Sequence, residues 1–226
     1  MNYSIKLPEF ESCKIAVIGM GYVGLPLAVC FANQKKCAAT KKELHRFLIG
    51  YDISTKRINE LKSGLDSTKE VDTSEIIKSS AIKFSSKEED IYNCDVFIIT
   101  VPTPIDKFNN PNLDSLISAS QLVGRALEKR ENSTCPIIIY ESTVYPGATE
   151  EICIPEIELY SKQKINSDFF CGYSPERVNP GDKVRKLNNV VKVTSGSNSI
   201  SANWIDKFYS SIINAGTCKA SSIKVA

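Results

Sequence analysis

Short, mostly apolar β-type runs alternate along the chain with longer segments whose apolar residues recur every three or four positions. The runs predict strands over 14–19, 47–52, 82–85, 96–101, 136–141, 169–172 and 190–195. The longer segments predict helices over 22–34, 54–63, 74–80, 114–129, 149–163 and 199–212. Runs such as Val96-Phe97-Ile98-Ile99 and Ile137-Ile138-Ile139 have no polar alternation. A strand like that has to be buried on both faces, as in a parallel sheet covered by helices. Strand and helix alternating in this way predict an α/β fold: a Rossmann-type, doubly wound, mostly parallel sheet with helices on both faces. No internal repeat, low-complexity tract or obvious linker interrupts it.

The first strand runs directly into Gly19-Met20-Gly21-Tyr22-Val23-Gly24 and then an apolar helix. This is the order a dinucleotide pyrophosphate needs. Gly19 permits a tight turn, a side chain at Gly21 would block the phosphates, and Gly24 lets the helix pack close to the sheet. The helix N-terminus then offers N–H groups and a positive dipole end to the anion. A glycine loop alone is weak evidence, so the other strand ends matter. Asp52 closes the second strand, where a carboxylate accepts hydrogen bonds from ribose hydroxyls and repels a 2′-phosphate, which favours NAD over NADP. It lies 28 residues beyond Gly24, against the usual spacing of about 20. The excess falls in the basic stretch 35–46, expected to extend the first helix or form a surface loop. Arg57 either reaches the adenosine side of the cofactor or is solvated.

Ligands of open parallel sheets bind beyond the carboxyl ends of the strands. The fourth strand ends there in Val101-Pro102-Thr103-Pro104, a stiff turn that presents the Thr103 hydroxyl. The fifth ends in Glu141-Ser142-Thr143, followed by a Pro-Gly turn. Thr143 could orient a water or a substrate hydroxyl, Thr149 is expected to cap the next helix, and Glu141 reads as a structural partner rather than a base. The sixth leads into Ser174-Pro175-Glu176-Arg177-Val178. There Glu176 could take a proton from an alcohol and Arg177 could hold an anionic substrate; a structural ion pair between them is the equal alternative.

Composition narrows the classes. The 226 residues suit one large domain or one domain with an appendage, and 42% are apolar, enough for a core. A net charge of +2 leaves no electrostatic footprint for nucleic acid. The opening MNYSIKLPEF carries acid and has no apolar stretch of the signal-peptide type, and no run approaches the roughly 20 apolar residues that span a bilayer. The cytoplasm is the expected compartment. The eight cysteines lack metal-ligand spacing, so no metal site is expected, and Cys30 and Cys153 read as small buried hydrophobes. The single histidine, His45, lies in a lysine-rich stretch and reads as a solvated imidazole.

The motifs converge on one family. KIAVIGMGYVGLPLAV, GYD with RI following, LKSGLDSTKEV, VPTPID, ESTVYPGATEE, GYSPERVNPGD and AGTCKASSIKVA together closely resemble the N-terminal domain of the UDP-glucose/GDP-mannose dehydrogenases, from about Cys13 to Ala226. The PERVNPGD form is most similar to the bacterial branch that oxidises UDP-N-acetylhexosamines for surface polysaccharide. The resemblance implies that Gly19, Gly21, Tyr22, Val23 and Gly24 line the NAD pyrophosphate, and that Asp52 and Arg57 hold the adenosine ribose side. It implies that Thr103 and Thr143 contact the cofactor. Thr143 also matches a catalytic-water threonine, Glu176 an acid–base glutamate, and Arg177 and Val178 substrate contacts. The implied reaction takes a sugar C6 alcohol to a carboxylate in two NAD-dependent steps, the second through a cysteine thiohemiacetal and thioester.

The family's reactive cysteine, with a lysine and an asparagine, belongs to a central helix and C-terminal domain. None of the eight cysteines here lies in a matching loop, and Cys218 stands where relatives often have histidine. The expected organisation is therefore an N-terminal extension (1–12), an NAD-binding domain (13–217) and the start of a linker (218–226), that is, the NAD-binding portion of a truncated two-domain enzyme. Full-length relatives are expected to be homo-oligomers formed largely through the central helix, and a monomer is open to the isolated portion. The competing reading is a non-catalytic NAD-binding fragment, or a subunit completed by another chain. Dehydrogenases of the 3-hydroxyacyl-CoA or 6-phosphogluconate type share the early glycine loop, but nothing in them suggests ESTVYPGATEE followed by SPER.

Overall fold

Strands that are apolar at every position need a helical layer on each side, and the chain supplies both. A computed structural model describes residues 5–79, 81–177 and 187–226. The strands β1 (Lys14–Ile18), β2 (Phe47–Tyr51), β3 (Ile82–Ser85), β4 (Val96–Ile99), β5 (Ile137–Tyr140) and β6 (Phe170–Tyr173) form one parallel sheet. Its order, β3-β2-β1-β4-β5-β6, is that of the Rossmann-type doubly wound fold expected from the alternation. Registers align Ser85, Tyr51, Ile18, Ile99, Tyr140 and Tyr173 in one row, so all six strands end together.

The helices are α1 (Gly24–Asn33), α2 (Thr55–Lys62), α3 (Thr73–Lys78), α4 (Asp114–Lys129), α5 (Ile154–Ser161) and α6 (Ser199–Ser210). Successive strand residues face opposite layers. Ile15 and Val17 pack with Leu25 and Phe31 of α1 and Trp204 and Phe208 of α6. Ala16 and Ile18 pack with Leu116 and Val123 of α4 and Ile157 of α5. Aromatic stacking of Phe31 on Phe208 joins α1 to α6, with ring centroids 4.7 Å apart, and Trp204 extends the stack within α6 at 5.0 Å from Phe208.

Three expectations change. The strand expected over 190–195 does not extend the main sheet. It forms β7 (Lys192–Thr194), which pairs in parallel with β8 (Thr217–Lys219), a strand no apolar run marks. Hydroxyls tie β7 to the end of β6: Ser195 Oγ donates to the Tyr173 carbonyl and Ser174 Oγ to the Val193 carbonyl, each at 2.7 Å. The helix expected over 149–163 opens as a π-turn (Thr149–Cys153) before α5. Pro155 has no N–H for the residue four before it, so a regular helix cannot run through. Thr149 is buried in that turn and caps nothing; Ala148 holds the N-cap position.

The stretch 35–46 is a surface loop and not an extension of α1, which ends at Asn33. An antiparallel bridge between Lys36 and Glu43 closes it. Arg46 anchors its end, donating from Nε to the Phe10 carbonyl (2.7 Å) and from Nη2 to Ser211 Oγ (2.6 Å), with its guanidinium over the Phe31 and Phe208 rings.

The tightest contact lies where α1 leaves the glycine loop. A Cβ on Gly24 would sit 1.9 Å from the Gly19 carbonyl oxygen and 2.4 Å from Thr100 Oγ1. Because the nearest obstacle is backbone, relief requires moving α1 off the sheet. Gly24→Ala is expected to cost at least about 3 kcal/mol of stability, read as a fall in the urea midpoint at unchanged slope. A midpoint within error of wild type would contradict this packing.

Candidate functional site

Beyond the row of strand ends, the departing loops enclose a cavity of about 1160 Å3. It lies over the point where connections leave β1 to one side and β4 to the other, the binding position of open α/β sheets. Gly19, Gly21, Tyr22 and Val23 line it after β1, Asp52 after β2, Thr103 after β4, Thr143 after β5, and Glu176 and Arg177 after β6. Thus nine of the residues singled out in the sequence meet in one cavity. Val178 lies outside the described residues.

The glycine loop is built for close approach. Gly19 has φ +98°, a backbone conformation that favours glycine, and its N–H donates to the Tyr51 carbonyl at 2.8 Å. Thr100 Oγ1 lies 2.9 Å from the Ile18 carbonyl and 2.8 Å from that of Gly19, tying the loop to the end of β4. At Gly21 an added Cβ would meet nothing within 4 Å, so the loop leaves a cradle that a side chain would fill. The start of α1 has no side-chain cap; the Leu25 N–H is taken by the Gly21 carbonyl at 3.1 Å and Pro26 has none, so the Gly24 N–H and the positive dipole end are what the helix start offers an anion.

Asp52 and Arg57 hold the Met20 peptide from both sides. Asp52 Oδ2 accepts the Met20 N–H and its Oδ1 the Ser54 N–H, both at 2.8 Å. Arg57 Nε donates to the Met20 carbonyl at 2.7 Å. The remaining Arg57 donors reach Ser67 Oγ (3.1 Å) and Asp66 Oδ1 (2.6 Å). Arg57 is buried, neither solvated nor part of the cavity wall, and Gly24 likewise serves packing behind the wall. Burial alone would raise the Asp66 carboxyl, but hydrogen bonds from Thr68, Arg57 and the backbone of Val71 outweigh it and hold it below the usual carboxylate range.

Three and four strands away, at the ends of β5 and β6, the cavity floor is charged. Glu141 is fully buried, ion-paired with Lys192 Nζ at 2.7 Å, and accepts a hydrogen bond from the Tyr209 hydroxyl on its other oxygen. Glu141 is therefore a structural partner, as its sequence context suggested. Burial raises its carboxyl, against the pull of Lys192. Glu176 lies 3.4 Å from the same ammonium and accepts the Arg177 backbone N–H at 2.6 Å. Thr103 Oγ1 donates to the Thr143 carbonyl at 2.6 Å, joining the loops after β4 and β5. Among the described residues no cysteine lines the cavity, and burial pushes the thiols of Cys13, Cys30 and Cys94 up to about 12, which makes them poor nucleophiles.

Sequence reasoning missed several wall residues. Ile53, 86% exposed, projects beside Asp52, and Arg125 of α4 pairs with Glu88 at 2.8 Å across the same end. The one sequence signal was position: Ile53 directly follows the strand-end carboxylate.

Residues 13–213 match the family model for the UDP-glucose/GDP-mannose dehydrogenase family, NAD binding domain. The chain belongs to that family. As its NAD-binding domain, it takes NAD as cofactor. The UDP-N-acetyl-D-glucosamine 6-dehydrogenase of Pseudomonas aeruginosa is 50% identical over 96% of this chain and 47% of its own length. The enzyme of that name from Salmonella typhi is 47% identical over the same shares. Among solved structures, the UDP-D-ManNAc dehydrogenase of Pyrococcus horikoshii superposes with a TM-score of 0.77 at 29% identity, over 94% of this chain and 48% of that one. The chain spans about half the length of the curated relatives it matches.

The Arg57–Asp66 brace has a pH signature. With its folded pKa depressed, Asp66 contributes stability that is complete above the unfolded value of about 3.9 and is lost as pH falls through the lower folded value. Asp66→Asn is expected to cost about 2 kcal/mol at pH 7 and to flatten the acid limb of a denaturation-versus-pH profile. An acid limb as steep as wild type would exclude this linkage.

Proposed function

We propose that this chain is the NAD-binding portion of a nucleotide-sugar 6-dehydrogenase that oxidises the C6 alcohol of a UDP-N-acetylhexosamine to a carboxylate for polysaccharide biosynthesis in the cytoplasm. The observation that carries the proposal is the single cavity with the Gly21 cradle and Asp52 at one end and Glu176 and Arg177 at the other. The near 50% identity to UDP-N-acetyl-D-glucosamine 6-dehydrogenases supports the substrate class.

The residues fit the cofactor. Gly19, Gly21, Tyr22, Val23 and Gly24 form the loop and helix start for the pyrophosphate, with Arg57 bracing that loop from behind. Asp52 has lone pairs left after its two backbone contacts and would accept the ribose hydroxyls. Ile53 gives the adenine an apolar cover. Thr103 and Thr143 flank the reacting end. NAD, when bound, supplies the hydride acceptor. Glu176 takes the proton of the C6 hydroxyl, Thr143 orients a water, and Arg177 with Val178 holds the substrate.

Residues 13–217 are the NAD-binding unit of this proposal. Because no cysteine among the described residues lines the cavity, this reading takes the thiol for the second oxidation from another segment or chain. The same observation favours the second reading, a fragment or subunit that binds NAD and turns over only when completed by another chain. No described helix is long and apolar enough to cross a membrane.

Calorimetric titration of the chain with NAD, NADH and NADP tests the cofactor site. NAD is expected to bind more tightly than NADP. Asp52→Ala should weaken NAD at least about tenfold, the loss of charged hydrogen bonds. Gly21→Val should abolish binding at unchanged melting temperature, because its side chain enters open space. Folded wild-type chain that takes up no NAD would sink the proposal for these residues acting alone.

A further inference from the structure

The cavity floor carries more charge than cofactor binding or the proposed proton transfer uses. Glu141 follows β5, Glu176 follows β6, Lys192 lies on β7 and Tyr209 on α6. Lys192 Nζ lies 2.7 Å from Glu141 Oε2, 3.4 Å from Glu176 Oε2 and 3.3 Å from the Pro175 carbonyl. The three side chains form a gradient of burial: Glu141 is 0% exposed, Lys192 3% and Glu176 12%. A buried ion pair adds little stability over a well-packed apolar pair of the same volume. Stability alone therefore does not account for a second carboxylate on the cavity side of the same ammonium.

We infer that Lys192 is a positioning residue for Glu176: Glu141 and Tyr209 fix the ammonium from behind, and the ammonium fixes the Glu176 carboxylate at the cavity surface. This deepens the proposed proton-accepting role of Glu176 and rests on it. A general base has to be in reach and deprotonated before the alcohol arrives. A glutamate on a loop has several rotamers, and an ammonium at 3.4 Å selects those that keep its carboxylate on the floor. Glu141 works in the opposite sense, sharing the ammonium and adding a negative charge nearby.

Among the described residues, the other titratable groups facing this point are Tyr173 at the end of β6, Tyr209 and Arg177. Burial raises both phenols, so they stay neutral where a carboxyl titrates. Glu141 thus has a neutral donor on one oxygen and the ammonium on the other, and Lys192 and Glu141 act on Glu176 with opposite sign.

The test follows the Glu176 carboxyl itself, by NMR titration of the whole chain labelled with 13C at glutamate Cδ. Loss of one signal in Glu176→Gln assigns it. Lys192→Met alone leaves Glu141 buried without its cation and risks unfolding. The comparison is therefore Glu141→Gln against Glu141→Gln/Lys192→Met, which removes the buried pair as a pair. The single variant is expected to lower the Glu176 midpoint, because the ammonium is no longer shared. Adding Lys192→Met should raise it by about one to three units relative to the single variant. Lys192→Arg, which keeps the charge, should stay within about half a unit of wild type. Equal Glu176 midpoints in the single and double variants would overturn the inference and leave Lys192 a packing residue. Neither NAD nor sugar is present in this titration, so its failure and the failure of the dehydrogenase reading are separate results.

Discussion

Between the Gly19 carbonyl and the first residue of α1 there is room for a hydrogen atom and little else, and much of the cofactor edge follows from that contact. The close approach presses α1 onto β1 and directs its N-terminus at the cavity. The Thr100 hydroxyl reaches the carbonyls of Ile18 and Gly19 only because no side chain intervenes at Gly24. Through Thr100 the loop after β1 is joined to the end of β4, the two strands that flank the switch point. The flush row of strand ends then lets loops from β1, β2, β4, β5 and β6 share one cavity.

The two ends of that cavity handle charge in different ways. At the Asp52 end a carboxylate and a guanidinium are tied to the backbone N–H and carbonyl of one residue, Met20, so the electrostatics are used to hold backbone. Asp66, behind Arg57, accepts backbone N–H groups from Thr68, Glu70 and Val71, which carries the same restraint into the loop after α2. At the Glu176 end, charges are tied to one another, and Glu176 is the more exposed of the two carboxylates at the cavity. A rigid backbone suits recognition of a large anion, whereas a restrained carboxylate suits exchange of a proton.

Much of this was legible in the sequence for physical reasons that apply locally. The α4 boundaries coincide with the apolar period, and the glycine loop could be read because each glycine answers a separate steric demand. What escaped depends on partners distant in sequence. The strand β8 is three residues, Thr-Cys-Lys, with no apolar signature, and exists because β7 pairs with it. Arg57 could be narrowed only to ligand contact or solvent, since nothing local reveals that Asp66 and the Met20 carbonyl will take its donors. Lys192 reads as a surface lysine in a short strand until Glu141, 51 residues away, is placed beside it. The π-turn is the exception: Pro155 announced it, and the apolar period across 149–163 masked the signal.

The loop over 35–46 has a consequence of another kind. It joins β2 at the end opposite Asp52, so a five-residue strand, roughly 17 Å of rigid sheet, separates it from the cavity. The long Gly24-to-Asp52 interval leaves no mark on the site, where Asp52 still meets the Met20 N–H at 2.8 Å. With its base clamped by Arg46 and its tip near Lys41 exposed, the loop is a natural seam in the chain. A reporter or affinity module threaded there would leave the Rossmann unit whole on both sides of the joint.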